Sequence, residues 1–332
     1  MPAEPDRLIG ESAAFLQALD DVSAVAPLDK PVLIVGERGT GKELVAARLH
    51  YLSNRWDAEF LKMNCAAISD SLLESELFGH EAGAFTGAAR MHQGRFERAN
   101  GGTLFLDELA TTSGLVQEKI LRVIEYGEFE RVGGSRTLRA DVRLIAATNA
   151  DLPRLAEAGK FRRDLLDRLA FDVITLPPLR ERGDDILLLA EYFGINMATE
   201  LGREYFPGFA DAAVRQLVSY DWPGNLRELK NVVERAVYRT DDDTKVKEIV
   251  LDPFDSPYRP RNEPVQGSLP APPILPLDLK QAVRDFETER VEAAMHQARH
   301  NQRKAAELLG LTYHQFRGYL KKHGLQPSQE AN

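Results

Sequence analysis

At 332 residues, 43% apolar and 28% charged, the chain has room for one large globular domain and a smaller one. Its formal charge of −9 excludes a body coated with nucleic acid, and no apolar run approaches the roughly 18 residues of a membrane span. Cys65 is the single cysteine, so no intrachain disulfide forms, and Met1-Pro2-Ala3-Glu4-Pro5-Asp6 lacks the basic start and apolar core of a signal peptide; a soluble cytoplasmic protein is expected.

Residues 6–176 carry short apolar or β-branched runs at 32–35, 60–63, 103–106, 142–147 and 171–176, interleaved with helical patterns. That alternation predicts an α/β subdomain built on a parallel sheet with helices on both faces. Pro177 and Pro178 end the last strand, since neither can continue a ladder. The periodicity then turns helical at 186–201, 210–219 and 225–238, which predicts an all-helical lid over residues 177–252. Eight prolines between 253 and 276 leave no core-forming pattern, so residues 253–277 are expected to form a semi-rigid linker.

Beyond the linker, Leu279, Ala282, Val283 and Phe286 recur at helical spacing. Two shorter helices are predicted at 304–309 and 313–323, separated by Gly310, with Thr312 as N-cap of the second. Residues 278–326 therefore read as a small all-α domain. Between Arg299 and Leu325, six Lys/Arg stand against one acid, Glu307. A basic end on an acidic body suggests a DNA-binding tail, although a solvated basic helix would carry the same charge.

Gly36-Glu37-Arg38-Gly39-Thr40-Gly41-Lys42-Glu43 follows the first strand and fits G-x-x-x-x-G-K, the P-loop pattern. Its glycines let backbone N–H groups close around phosphate oxygens, and the following helix offers its N-terminus to negative charge. Lys42 would hold the β- and γ-phosphates, with Gly36, Glu37, Gly39, Thr40, Gly41 and Glu43 as the other candidate nucleotide contacts. Glu43 stands where Ser/Thr usually touches Mg²⁺, so a metal ligand from the P-loop itself is not expected. Strand 103–106 ends in Asp107-Glu108, two carboxylates that could also serve only as a turn or helix cap. Between these halves lies Gly83-Ala84-Phe85-Thr86-Gly87-Ala88, a glycine-flanked loop whose apolar tip points to a binding surface.

With that hexapeptide unaltered between a P-loop and an acid pair, the chain resembles the bacterial enhancer-binding AAA+ ATPases that activate sigma-54 RNA polymerase. The resemblance runs from Leu8-Ile9-Gly10-Glu11 to Gly324-Leu325. It implies an AAA+ P-loop ATPase core with an α-helical lid, and ATP and Mg²⁺ as cofactors. Asp107 would orient Mg²⁺, Glu108 would polarise the attacking water, and Asn64 would hold Glu108 in check until a partner engages. Glu at the place of Glu43 is common in the family. Thr148-Asn149 resembles the sensor that reads the γ-phosphate, and Arg227, in Trp222-Pro223-Gly224-Asn225-Leu226-Arg227, resembles the lid arginine that contacts nucleotide in cis. Arg162 and Arg168 match arginine fingers reaching the ATP of a neighbouring subunit, with Arg163 an adjacent alternative for the first; a ring, taken as a hexamer, follows.

The same resemblance implies that Gly83, Ala84, Phe85, Thr86, Gly87 and Ala88 contact sigma-54 in the polymerase holoenzyme. Glu130-Arg131-Val132-Gly133-Gly134-Ser135 looks like the loop that supports them. The stretch Asn301-Gln302-Arg303-Lys304-Ala305-Ala306-Glu307-Leu308-Leu309-Gly310-Leu311-Thr312 resembles the helix-turn-helix of factor for inversion stimulation, which implies dimerisation through the C-terminal helices. The second helix would enter the major groove with Tyr313, His314, Gln315 and Arg317 at its leading edge. Arg303, Lys304 and Thr312 are further DNA candidates, and Lys321 and Lys322 would neutralise phosphates. Gly318 inside that helix departs from good helix formers.

Arg122-Val123-Ile124-Glu125-Tyr126-Gly127-Glu128 and the stretch 301–310 are most similar to the phage shock branch of the family. Most relatives carry a sensing domain before the ATPase, whereas this core starts almost at Met1. Control is therefore expected from a coiled-coil negative regulator acting in trans, with Trp56 either its docking point or an ordinary part-buried tryptophan. The expected function is an ATP-driven activator that binds upstream enhancer DNA and remodels the closed sigma-54 polymerase complex. Another sigma-54 regulon remains open. An AAA+ chaperone would have no reason to keep the hexapeptide, and a non-catalytic repressor no reason to keep Lys42, Asp107 and Glu108 together.

Overall fold

The structure is a computed structural model that describes residues 8–256, 258–259, 278–299 and 301–325. The chain divides into two compact units, residues 1–255 and 256–332. Most of the predicted linker, residues 257 and 260–277, lies outside the described residues.

In the first unit, α1 (Ala13–Val25) precedes β1 (Val32–Val35), α2 (Lys42–Tyr51) and β2 (Phe60–Asn64). Then come α3 (Asp70–Phe78), α4 (Arg95–Arg98), β3 (Thr103–Asp107) and α5 (Gly114–Tyr126). A ribbon of β4 (Glu128–Glu130) and β5 (Thr137–Arg139) leads to β6 (Arg143–Thr148), α6 (Leu152–Glu157), α7 (Arg163–Leu169) and β7 (Val173–Thr175). The main sheet has five strands, all parallel, in the order β2-β3-β6-β1-β7.

Strand side chains alternate between two cores, as a period of two requires. Leu33, Leu104, Leu106, Leu144 and Ala146 face α3, α4, α5, α6 and α7 through Leu77, Phe96, Ile120, Leu152 and Leu165. Val32, Ile34, Phe105, Ile145 and Ala147 face α1 and α2 through Val22, Val45 and Leu49. Burial on both faces is why these strands read as continuous apolar runs. The strands end differently from expectation: β2 and β3 each extend by one residue, to Asn64 and Asp107, and β7 is only Val173–Thr175. The β4–β5 ribbon escaped the sequence reading because three-residue strands carry too little pattern.

The lid comprises α8 (Gly183–Glu200), α9 (Asp211–Ser219) and α10 (Asn225–Tyr238), packed around fully buried Trp222, whose Nε1 donates to the Leu217 carbonyl at 2.8 Å. Its seam with the N-terminal segment is polar and buried. Asp185 accepts hydrogen bonds from Glu11 N (2.6 Å), Ser12 N (3.0 Å), Ser12 Oγ (2.7 Å) and Arg182 Nε (2.8 Å). The Arg182 guanidinium lies 3.7 Å over the Phe15 ring.

The second unit holds α11 (Leu279–Gln297), α12 (Gln302–Leu308) and α13 (Tyr313–Lys322) around Val291, Ala294, Ala305, Ala306, Phe316 and Leu320. Asp278, Asn301 and Thr312 cap the three helices through side-chain oxygens.

Burial works against the Asp185 carboxylate, but its hydrogen bonds outweigh that and hold its pKa below the ordinary aspartate value. Its contribution is therefore full above the unfolded-state pKa of about 3.9 and is lost as pH falls through the lower folded value. Asp185→Ala, which strands buried Arg182, should cost about 3–5 kcal/mol in urea unfolding at pH 7. A midpoint unchanged from wild type would show that the seam contributes nothing.

Candidate functional site

Register assembles the site. Val35 pairs with Thr148, and Asn64 pairs with Asp107, so the carboxyl ends of β1, β6, β3 and β2 finish along one edge. Ligands of open parallel sheets bind at that edge. Gly36 N donates to the Thr148 carbonyl at 3.1 Å, tying the P-loop to the strand that precedes exposed Asn149.

Lys42 is buried, with Nζ donating to the carbonyls of Gly36 (2.9 Å) and Glu37 (3.0 Å). Burial lowers its pKa, while Glu108 and Asp107 push the other way. The P-loop is thus folded around its own lysine. Thr40 Oγ1 donates to the Glu37 carbonyl at 2.9 Å, and Gly41 caps α2. Glu43 pairs with Lys62 of β2 at 3.0 Å, which leaves it turned to an amine rather than to a metal.

Asp107 closes β3, and Glu108 adopts a left-handed backbone at φ 54°. That conformation is costly for a non-glycine residue and breaks the strand, so the two carboxylates are not forced to opposite faces. Asp107 Oδ1 accepts the Glu108 N–H at 3.0 Å, and Thr111 Oγ1 donates to the Glu108 carbonyl at 2.8 Å. Asn64, which the resemblance casts as a restraint on Glu108, donates from Nδ2 to Asp107 Oδ2 at 3.3 Å, because the register sets those two side by side. Beneath them the buried Cys65 thiol is pushed up to about 12 by burial, then by Asp107 and Glu108, which disfavours its thiolate. Among the described residues no group of three His, Cys, Asp or Glu stands ready to hold a metal. One carboxylate plus nucleotide phosphates suits Mg²⁺, which keeps several waters.

The lid closes directly on the P-loop. A side chain at Gly39 would meet the Gly224 carbonyl at 2.3 Å and Arg227 Cβ at 3.3 Å. Exposed Arg227 thus sits beside the phosphate loop. Leu226 N donates to the Gly39 carbonyl at 2.9 Å. Two residues that sequence reasoning missed fasten the seam. Arg180 pairs with both oxygens of Glu37, at 2.6 and 3.0 Å, which with the Asn225 amide lowers the Glu37 pKa. Buried Asn225, left-handed at φ 51°, donates to Glu37 Oε2 (3.1 Å) and the Arg38 carbonyl (3.0 Å) and accepts from Leu179 N (2.7 Å). The Gly-Asn pair after Pro223 was a legible signal for such a turn; Arg180 had none.

Arg162 and Arg168 lie away from this edge, around α7. Arg162 pairs with Asp164 (2.7 Å) and Glu118 (3.4 Å), and Arg168 with Glu125 (2.9 Å). Arg163 opens α7 and is exposed.

The 83–88 loop rises from a stem where His80 bridges His92 and Val132. Gly83 and Gly87 have φ of 80° and 104° with nothing near their Cβ positions, and Phe85 is 41% exposed. Residues 131–136 cap the β4–β5 ribbon beside it, and Arg131 joins Glu81 (2.8 Å) at the loop base to Glu97 (2.9 Å) on α4. Trp56 is 62% exposed, next to Arg55, which pairs with Asp141 (2.8 Å) and Asp29 (2.5 Å).

In the second unit Arg303 stacks over the Tyr313 ring at 5.9 Å, and Lys304, His314, Arg317 and Lys321 are exposed. Two expectations change. Gln315 spends its Oε1 in a capping box with Thr312 N (3.0 Å) and Oγ1 (2.9 Å), so it is a cap before it is a base contact. Lys322 pairs with Glu287, which also binds His323 at 2.9 Å, so a phosphate would compete with that acid for it. Gly318 sits in an uninterrupted helix with open space at its Cβ position.

Residues 8–175 match the sigma-54 interaction domain, 180–262 the AAA+ ATPase lid domain, and 282–323 the bacterial regulatory proteins of the Fis family. The chain is 60% identical over 320 residues to the Psp operon transcriptional activator of Escherichia coli (strain K12), spanning 96% of this chain and 98% of that relative. The chain belongs to the sigma-54 activator family. A Nif-specific regulatory protein of Enterobacter agglomerans is 47% identical over 314 residues, where this chain spans only 58% of the relative. NtrX from Brucella abortus in complex with ATP superposes with a TM-score of 0.68 at 34% identity, over 96% of this chain and 70% of that one. This sigma-54 activator is thus an ATP-binding AAA+ ATPase with a helical lid and a C-terminal helix-turn-helix that binds DNA.

Asn225→Ala leaves the Leu179 N–H without its partner and should cost about 1–3 kcal/mol of stability. ATP affinity, read by nucleotide titration, should fall on the order of tenfold, equivalent to about 1.4 kcal/mol. A folded variant with wild-type affinity would exclude Asn225 from nucleotide binding.

Proposed function

We propose that this sigma-54 activator hydrolyses ATP to drive the 83–88 loop against sigma-54, converting the closed polymerase complex at a promoter into an open one. The observation that carries this is the loop itself: an exposed Phe85 on a glycine-flanked tip whose stem is ion-paired, through Arg131 and Glu97, to the helix leading into β3. Lys42, the P-loop N–H groups and Arg227 hold the phosphates. Asn149 borders the γ-phosphate end, and Glu108 orients the attacking water. Asp107, with the phosphates, would hold Mg²⁺, which would supply neutralising charge. Asn64, bonded to Asp107, sets the geometry of the acid pair.

Arg162 and Arg168 reach the ATP of a neighbouring subunit, which makes hydrolysis depend on a hexameric ring. Their present partners are exposed acids whose ion pairs are weak enough to exchange. Residues 6–176, 177–252, 253–277 and 278–326 serve as ATPase core, lid, linker and DNA-binding domain, in keeping with the boundary between the two compact units. The DNA-binding domain holds upstream enhancer sites and pairs with a second copy through α11, whose Leu279, Val283 and Phe286 are exposed. The 60% identity to the Psp operon activator supports a phage shock regulon, and exposed Trp56 supports docking of a coiled-coil negative regulator there. Among the described residues no helix is long and apolar enough to cross a membrane, in keeping with a cytoplasmic activator.

Thr86→Ala should reduce open complexes at a sigma-54 promoter by at least about tenfold, with ATP turnover within about twofold of wild type. Parallel loss of both would place Thr86 in the ATPase rather than in coupling. On DNA, Lys321→Ala should reduce the slope of log affinity against log salt by about 1, while Lys322→Ala leaves it unchanged. Equal effects would overturn the assignment of Lys322 to Glu287.

A further inference from the structure

The tip of the 83–88 loop is open, yet its phenylalanine is seated. The Phe85 ring meets the His80 imidazole edge-on, with centroids 5.0 Å apart and planes at 64°. His80 is itself fixed from three sides. Its Nδ1 shares a 2.7 Å hydrogen bond with Ser75 Oγ of α3, a buried side chain. Its ring stacks on His92 at 5.5 Å. Its backbone exchanges N–H···O bonds with His92 at 3.1 and 2.9 Å, closing the base of the loop. No part of the nucleotide chemistry uses this imidazole.

We propose that His80 is a positioning residue that latches Phe85 against the base of the loop, so that releasing the loop requires breaking the edge-to-face contact. A ring pedestal suits this task because an aromatic pair adds only a modest, local stabilisation. It is strong enough to bias a flexible loop and weak enough to yield to rearrangement at its stem. The contact also covers part of the apolar surface of Phe85, which is otherwise 41% exposed, so latching and masking are one event. The inference rests on the reading of Phe85 as the sigma-54 contact only for its consequence, not for the latch.

The loop from Glu81 to Met91 contains one trypsin site, Arg90, which is exposed. Cleavage after Arg90 in the nucleotide-free full chain therefore reports loop release without sigma-54. His80→Ala should speed that cleavage roughly three- to tenfold, the range expected from losing one aromatic contact, with ATP turnover unchanged. His80→Phe keeps a ring under Phe85 and should stay near wild type; His80→Asn keeps a polar partner for Ser75 but no ring and should match His80→Ala. Phe85→Ala removes the other half of the pair and should speed cleavage by the same factor, with no further gain in the double variant. The proposal is overturned if His80→Ala cleaves at the wild-type rate, if His80→Asn behaves as wild type, or if the two alanine variants add. Capture of sigma-54 by the same variants separates the two ideas: fast cleavage with no gain in capture upholds the latch and sinks the docking role of the tip.

Discussion

The parallel register of the central strands is the constraint on which everything else depends. Because Val35 lies opposite Thr148, and Asn64 opposite Asp107, four strand ends deliver their next residues to one edge. The P-loop, the acid pair, Asn64 and Asn149 each lie at or just beyond the carboxyl end of one of these strands. A shift of one residue in any strand would exchange its two faces and send Leu or Phe to the wrong core. The cores on the two sides thereby fix the chemistry: Phe105 must face α2 and Leu106 must face α5, so Asp107 emerges where phosphate is expected.

From that edge the coupling to the working loop is short. Glu97 of α4 and Glu81 at the loop base share the Arg131 guanidinium, whose pKa their hydrogen bonds hold above the ordinary arginine value. Residues 99–102 then lead from α4 into β3, which ends in Asp107. Few residues separate Asp107 and Glu108 from the loop stem, and most of them lie in helix or strand. Rigid intermediates of this kind transmit displacement because close-packed interiors do not compress.

Much of this was legible in the residues. The P-loop, the acid pair and the 83–88 loop are contiguous motifs, each confined to a few positions. The runs of β1, β3 and β6 gave the centre of the sheet because strands buried on both faces need no partner to reveal themselves, while the edge strands β2 and β7 carry exposed residues. What escaped was pairwise. Arg180 and Glu37 are 143 residues apart and meet only when the lid folds over the P-loop. Asn64 faces Asp107 rather than Glu108 because of cross-strand register, which no single segment encodes. Gln315 and Lys322 were assigned by their place on a helix, whereas a capping box and a cross-helix acid decide what those side chains do.

The two lid contacts differ in kind, and the difference is one of burial. At Asp185 a fully buried carboxylate takes four hydrogen bonds, one of them from Arg182, so separation would strand charge in a dry seam. At Glu37 the facing Arg180 is 42% exposed and the carboxylate 41%, and water can replace either partner. Exposed pairs contribute about 0–1 kcal/mol, against several for breaking a buried one. The ion pair at Arg182 and Asp185 is thus the stronger of the two, while buried Asn225, bonded to Glu37 and the Arg38 carbonyl, ties the other end of the lid to the P-loop.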